Sequence, residues 1–203
     1  MAFGLIRARN LSAADIASTD EKRNNSLIKT KYFFENYEDF LGVNKTTLAE
    51  VIDERLRINN VTGIKKNSNL AIEYLIGISD DVAWENYSFN GFVDGVSQWL
   101  ENRHGLNSVV TIYTRNDIET PRAYILVVPV EQKTISWKNT CAKGERALKR
   151  LNTRNFTGGA GKLRQLQADY FEYLTNRFDG GRKLGVKLTA PPRLSEEELS
   201  VFL

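Results

Sequence analysis

Side chains able to do chemistry are few in this chain and unevenly placed. The one histidine, His104, stands beside Gly105 where a helix should stop, and reads as a helix C-terminal residue rather than a ligand. The one cysteine, Cys141, reads as an incidental thiol, and a single cysteine allows neither an intramolecular disulfide nor a thiolate zinc site. Asp20, Glu21, Asp117 and Glu119 can supply oxygen ligands, since Mg²⁺ needs one or two carboxylates plus water and phosphate. Their plainer reading is turn capping and solvated surface. Gly158-Gly-Ala-Gly161, just before Lys162, can set a phosphate at a helix N-terminus. It lacks the Gly-Lys-Ser/Thr ending of a nucleotide-binding loop and follows no clear strand, so nucleotide hydrolysis is not its reading. The strongest pattern is charge. Residues 138–164 carry eight Lys or Arg against one acid, Glu145, with Trp137 and Phe156 interleaved. That combination points to salt-sensitive, phosphate-directed contact with nucleic acid.

Several elements must position these groups. Residues 3–9 alternate like a strand, and 12–31 form a polar segment. Tyr32, Phe33, Phe34, Tyr37 and Phe40 then cluster. Residues 44–58 read as a helix: Thr47 and Glu50 have capping-box spacing, and Leu48, Val51, Ile52 and Leu56 recur at helical period. Residues 61–69 form a polar, basic connection, and 70–78 a buried apolar strand. Ser88 is placed to cap a helix whose apolar face is Phe89, Phe92, Val93, Val96, Trp99 and Leu100, ending at His104-Gly105. Strands are expected over 108–113 and 122–130, antiparallel and joined by a turn at 116–121, with a short edge strand at 134–136. Residues 162–178 form a periodic helix with Leu163, Leu166, Tyr170, Phe171, Leu174 and Phe178 on one face, stopped by Asp179-Gly-Gly181. The expected order is β-α-β-α-β-β-α, an α+β fold with an antiparallel β-sheet and flanking helices.

Composition supports a folded globular domain, with 41% hydrophobic and 26% charged residues. The net charge of +3 is too small to name a partner by itself. No stretch reaches the ~18 apolar residues of a membrane helix, and the N-terminal apolar run is broken by Arg7 and Arg9, unlike a signal peptide. A cytoplasmic protein without membrane contact is the expectation.

Residues 109–129, Val-Val-Thr-Ile-Tyr-Thr-Arg-Asn-Asp-Ile-Glu-Thr-Pro-Arg-Ala-Tyr-Ile-Leu-Val-Val-Pro, resemble the metal-binding hairpin of the MobV (Mob/Pre) plasmid mobilisation relaxases of the HUH endonuclease superfamily. That hairpin usually reads His-x-Asp-Glu-x-Thr-Pro-His-x-His before an apolar strand ending in Val-Pro. Asp117, Thr120, Pro121 and the strand to Pro129 match. Arg115, Arg122 and Tyr124 stand at the three histidine positions, and Ile118 at the glutamate. Residues 151–170 resemble the family segment in which a Phe-Gly-Gly element opens a Leu-Gln-containing helix, and Arg-Phe-Asp-Gly-Gly-Arg-Lys-Leu-Gly185 resembles its basic sequel. Residues 70–79 resemble the strand before the Trp-containing helix. Thr19-Asp-Glu-Lys-Arg23 falls where the family has a motif that can hold a nucleophile.

The resemblance implies an HUH relaxase-like fold and a DNA partner, met as single strand, hairpin or duplex at an origin or element end. It also implies the loss of a cofactor. Relaxases transfer a phosphoryl group to a side chain with help from a divalent ion, and a guanidinium has no lone pair to ligate one. A pseudo-relaxase without metal is therefore expected, assisting mobilisation, recombination or excision without cutting. Arg7, Arg9, Lys22, Arg23, Arg115 and Arg122 would line the former active-site cleft. Lys143, Arg146, Lys149, Arg150, Arg154, Lys162 and Arg164 would grip the DNA backbone. The rival expectation is a nicking enzyme using Mg²⁺ or Mn²⁺ on Asp20, Asp117 and Glu119, with Tyr113, Tyr124 or Tyr32 as nucleophile. A third is an interaction module that recruits a recombinase or an active relaxase. Residues 1–188 would form the DNA-binding domain, and 189–203 a tail or the start of a further segment.

Overall fold

A nearly continuous apolar strand needs cover on both faces, and that requirement organises the molecule. The computed structural model describes residues 4–25, 47–78, 89–105, 108–115, 122–138, 143–184 and 187–190. Strands β1 (Gly4–Leu11), β2 (Ala71–Ile78), β3 (Val109–Arg115) and β4 (Arg122–Val127) form a four-stranded sheet in the order β1-β2-β4-β3. All its pairings are antiparallel. The apolar strand 71–78 becomes β2, one of the two central strands, where seven of its eight residues are buried. Strands β5 (Val130–Lys138) and β6 (Lys143–Leu151) pair as a separate two-stranded ribbon.

Helices close both sides of the sheet. Helix α3 (Phe89–His104) and helix α5 (Ala160–Arg177) lie on one face. Phe92, Val93, Val96, Leu100, Leu163, Leu166, Tyr170 and Leu174 meet Ile6, Ile72, Tyr74, Ile76 and Ile125 there in the larger core. On the other face, α1 (Ala13–Asn25) contributes Ile16 and α2 (Leu48–Ile58) contributes Leu48, Val51, Ile52 and Leu56. They cover Leu11, Ala71, Val110 and Leu126. This second layer sits over one end of the strands, and Arg7, Arg9, Glu73 and Tyr124 lie along the rest of that face with Leu5 and Leu75.

The expected α+β architecture with flanking helices is the one found. The three periodic helices form, and their apolar stripes enter the cores. Thr47 and Glu50 make the anticipated capping box, each side chain accepting from the other's backbone N–H. Asp179 is followed by Gly180 and Gly181, both at positive φ, and the α5 helix ends before them.

Three expectations need correction. The polar segment from 12 is helix α1, opened by a reciprocal pair in which Ser12 N–H donates to Asp15 Oδ2 at 2.9 Å and Asp15 N–H donates to Ser12 Oγ at 3.3 Å. The Ser12 hydroxyl, which donates to Asp15 Oδ2 at 2.5 Å, and then the Ser12 N–H hold the Asp15 carboxyl below its usual range. The short edge strand at 134–136 is a nine-residue strand, and its partner β6 runs through the basic segment. A five-residue helix, α4 (Thr153–Thr157), precedes α5. The aromatic cluster at 32–40, Ser88, the turn at 116–121, Cys141 and the tail from 191 lie outside the described residues.

Removing the α2 cap should be measurable. Thr47→Ala is expected to cost about 1 kcal/mol, read as a lower urea midpoint with an unchanged m-value. An unchanged midpoint would show that the box contributes nothing.

Candidate nucleic-acid interface

Alternation along the strands sends every second residue to the face opposite α3 and α5. Register then assembles rows across the sheet. Arg9 pairs with Glu73, Arg7 with Leu75, Leu75 with Tyr124, and Gly77 with Arg122. Tyr113 pairs with Tyr124, and Arg115 with Arg122. Register thus sets Arg122 and Tyr124 of β4 on the same face as β1 arginines from more than a hundred positions earlier.

Glu73 is the centre of this patch. Its side chain is 9% exposed, and a buried carboxylate is tolerated only with donors on its oxygens. Arg9 Nη2 donates to Oε2 at 2.8 Å, and the Tyr113 hydroxyl donates to Oε1. The Tyr113 ring stacks on Tyr124, centroids 4.7 Å apart and planes 3° from parallel. Burial first, then the Glu73 charge and hydrogen bond, push the Tyr113 phenol far above its usual range. It is a fixed donor, unsuited to attack as a phenolate. Arg9 is half-exposed and uses on Glu73 only part of a guanidinium that carries five N–H donors. Arg122 Nε is buried and lacks a hydrogen-bond partner among the described residues.

The remaining candidates fall in three places. Arg7 is on β1 in this patch. Lys149 and Arg150 are exposed on β6, whereas Arg154 and Lys162 are exposed on α4 and α5, elements that pack against β1. Arg164 is half-buried on α5. Asp20, Lys22 and Arg23 belong to α1, Arg115 to β3, and Lys143 and Arg146 to β6, with side chains outside the described residues. Asp117, Glu119 and Tyr32 lie wholly outside them. Glu73 was the residue that sequence reasoning missed. Its signal was available: one acid inside an apolar run demands partners.

The other side of the sheet holds His104, 3% exposed, with Nε2 2.8 Å from the Tyr74 hydroxyl and its ring against Phe156. Burial, with help from the Arg103 charge, lowers its pKa to about 3. It is a core residue at the end of a helix, as expected. An open cleft of about 640 Å³ between α3 and α5 is lined by Trp99, Arg103, Asp169, Tyr173 and Arg177. Arg103 and Asp169 neutralise each other there at 2.6 Å.

The sequence profile of Mob_Pre, plasmid recombination enzyme, matches residues 7–183. The chain belongs to the Mob_Pre family. Solved structures agree on the fold. A Mn-bound MobM relaxase domain (MOBV; Mob_Pre) on 23-nucleotide pMV158 oriT DNA superposes with a TM-score of 0.62, at 14% identity over 98% of this chain and 97% of that one. A Mn-bound complex with 22-nucleotide DNA gives 0.62 at 15% identity, covering 99% and 100%. A complex with 26-nucleotide DNA gives 0.59 at 15% identity, covering 97% and 98%. No curated protein sequence matches the chain. The described side chains of this Mob_Pre chain do not fit a divalent ion. Glu73 already has a donor on each oxygen, Arg9 and Arg122 are cations, and no group of three His, Cys, Asp or Glu comes together among the described residues.

Tyr113 gives this patch an alkaline signature. An unfolded tyrosine loses its proton near pH 10, while the folded Tyr113 keeps it. The folded state then binds more protons, so this stabilisation is complete below about pH 10 and is lost as pH rises above it. Tyr74 and Tyr170 are raised too, by burial. Tyr113→Phe should therefore lose stability less steeply than the parent in alkali, by about 1.4 kcal/mol per pH unit. Urea midpoints across the alkaline range test this, and parallel slopes would contradict it.

Proposed function

We propose that this chain is a cytoplasmic DNA-binding domain of a mobile genetic element, and that it holds DNA at its former active-site face without cutting it. The unit doing so is residues 1–188, and the role is to assist mobilisation, recombination or excision. The observation that carries the reading is the buried Arg122 Nε, a donor that lacks an acceptor among the described residues. A buried unmet donor costs free energy that an incoming acceptor recovers. A phosphodiester oxygen is that acceptor, and Arg9 offers further donors on the same face. Guanidinium forks match phosphate geometry, supply positive charge and need no metal.

Strand cleavage would ask more of this face. It needs a group to attack phosphorus and a Lewis acid to take up the developing charge. Tyr113 is committed to Glu73, and arginine cannot ligate an ion. Binding without transfer is what these groups support.

Two measurements test the reading. Purified protein with Mg²⁺ or Mn²⁺ should leave supercoiled origin-containing DNA unnicked, and chelator should leave DNA affinity unchanged. Arg122→Ala should weaken binding about tenfold near 0.1 M salt and lower the salt slope by about one. A metal-dependent nick or a covalent protein–DNA adduct would overturn the reading.

A further inference from the structure

The cleft between α3 and α5 is built from two matched rows of side chains. Gly95, Trp99 and Arg103 recur at one-turn spacing on α3, as Asp169, Tyr173 and Arg177 do on α5. The rows meet in reverse order, so the helices are antiparallel. Arg177 and Tyr173 lie against Gly95, Tyr173 stacks on Trp99 with centroids 5.5 Å apart, and Arg103 pairs with Asp169 at 2.6 Å. The floor is aromatic, because Trp99 also rests on the buried Tyr170 ring at 5.6 Å. Trp99 and Tyr173 are both only half-buried, and the cleft of about 640 Å³ stands open to solvent.

The two ends of the cleft differ in what their charges have left to offer. At one end Arg103 is committed to Asp169, whose other oxygen accepts from Gln165 Nε2 at 2.6 Å. The same guanidinium lies 5.8 Å from the Trp99 ring centroid. At the other end Arg177 is exposed, and no carboxylate pairs with it among the described residues. Only glycine at 95 lets it lie there, since a Cβ would stand 2.7 Å from Arg177 Nε. A guanidinium already laid against a helix gives up little freedom on binding, and its fork suits a carboxylate. Glu172 is exposed along the same wall.

These features select one kind of occupant. Arg103 and Arg177 are balanced in the lining by Asp169 and Glu172, so a chain of phosphates gains no net attraction and meets two acids. An apolar side chain does gain, because tryptophan, tyrosine and arginine around a half-buried hollow are the residues that anchor protein partners. A groove between two packed helices admits a third, held by side chains one turn apart. We infer that the α3–α5 cleft docks an amphipathic helix of a partner protein. An apolar side chain of that helix lies on Trp99 and Tyr173, and a carboxylate one turn along meets Arg177. Asp169 and Arg177 are two turns apart, about 12 Å along α5, so two turns of the partner fill the groove. The sheet stands between this cleft and the Arg9–Arg122 face, and a docked helix leaves that face open.

The probes are two stapled helical peptides, one carrying Leu and, a turn later, Glu, the other with Lys in place of that Glu. Titrated into the full chain at about 0.1 M salt, the Glu peptide should shift the Trp99 indole N–H resonance and saturate at about 1 mM. Loss of that resonance in Trp99→Phe assigns it. The Lys peptide should bind about fivefold more weakly, the effect of one partly exposed ion pair made and then reversed. Arg177→Glu should invert the order of the two peptides. Gly95→Ala keeps every charge but pushes Arg177 off its seat, and Ala is the better helix former. It should bring the peptides within about twofold of each other at an unchanged or higher melting temperature. A single-stranded oligonucleotide in excess should leave the peptide affinities as they were, and its own binding, read in the same samples, judges the DNA reading separately. A Trp99 resonance unmoved by either peptide, equal affinities in the parent, or the parent's preference retained in Arg177→Glu or Gly95→Ala would overturn the inference. Displacement of the peptide by the oligonucleotide would overturn it too, marking the cleft as a nucleic-acid site.

Discussion

A carboxylate set into a central strand must find a donor for each oxygen or lose its charge. Glu73 meets that demand with Arg9 from one neighbouring strand and Tyr113 from β3, two strands away. A one-residue slip of either strand would send its partner to the opposite face. The ion pair and the hydroxyl bond thus help fix the register of a four-stranded sheet. That register in turn fixes which residues share the open face. Arg7, Arg9, Arg122 and Tyr124 are brought together by the same geometry that satisfies the acid.

Two kinds of positive charge differ in what they can do at such a face. A divalent ion concentrates charge at a point and polarises what it touches. Guanidinium groups spread charge over a plane and give hydrogen bonds of defined direction. The family frame stays, with its sheet, its flanking helices and the hairpin of β3 and β4. What differs is the chemistry the frame presents. Two of its structural neighbours are Mn-bound, whereas the groups described on this face are a carboxylate with a donor on each oxygen, two tyrosines and the arginines beside them.

Legibility in the sequence followed burial. Leu48, Val51, Ile52 and Leu56, or Leu163, Leu166, Tyr170 and Leu174, face a core and therefore repeat at the helical period. The run that became β2 is apolar because both its faces are covered. Among its described side chains helix α1 sends only Ile16 into the hydrophobic core, so its sequence looks like a polar loop. Among the described side chains of β6, Ala147, Lys149 and Arg150 are exposed and none is buried, so its alternation carries no apolar signal. Of the arginines on the face, Arg122 stood out in the hairpin motif, whereas Arg7 and Arg9 come from β1. Glu73 was not singled out, because its partners lie 64 and 40 residues away and only folding brings them near.

Consecutive residues of β2 part company at the sheet. Glu73 faces the arginines, while Tyr74 turns through to His104 on the far side. One layer of backbone therefore stands between the chain's sole imidazole and the face that carries Glu73 and Arg9. No rotamer change or helix shift could carry that ring across. Proton shuttling through histidine at the Glu73 face is closed to this protein as a matter of topology, and such chemistry there would require a new side chain.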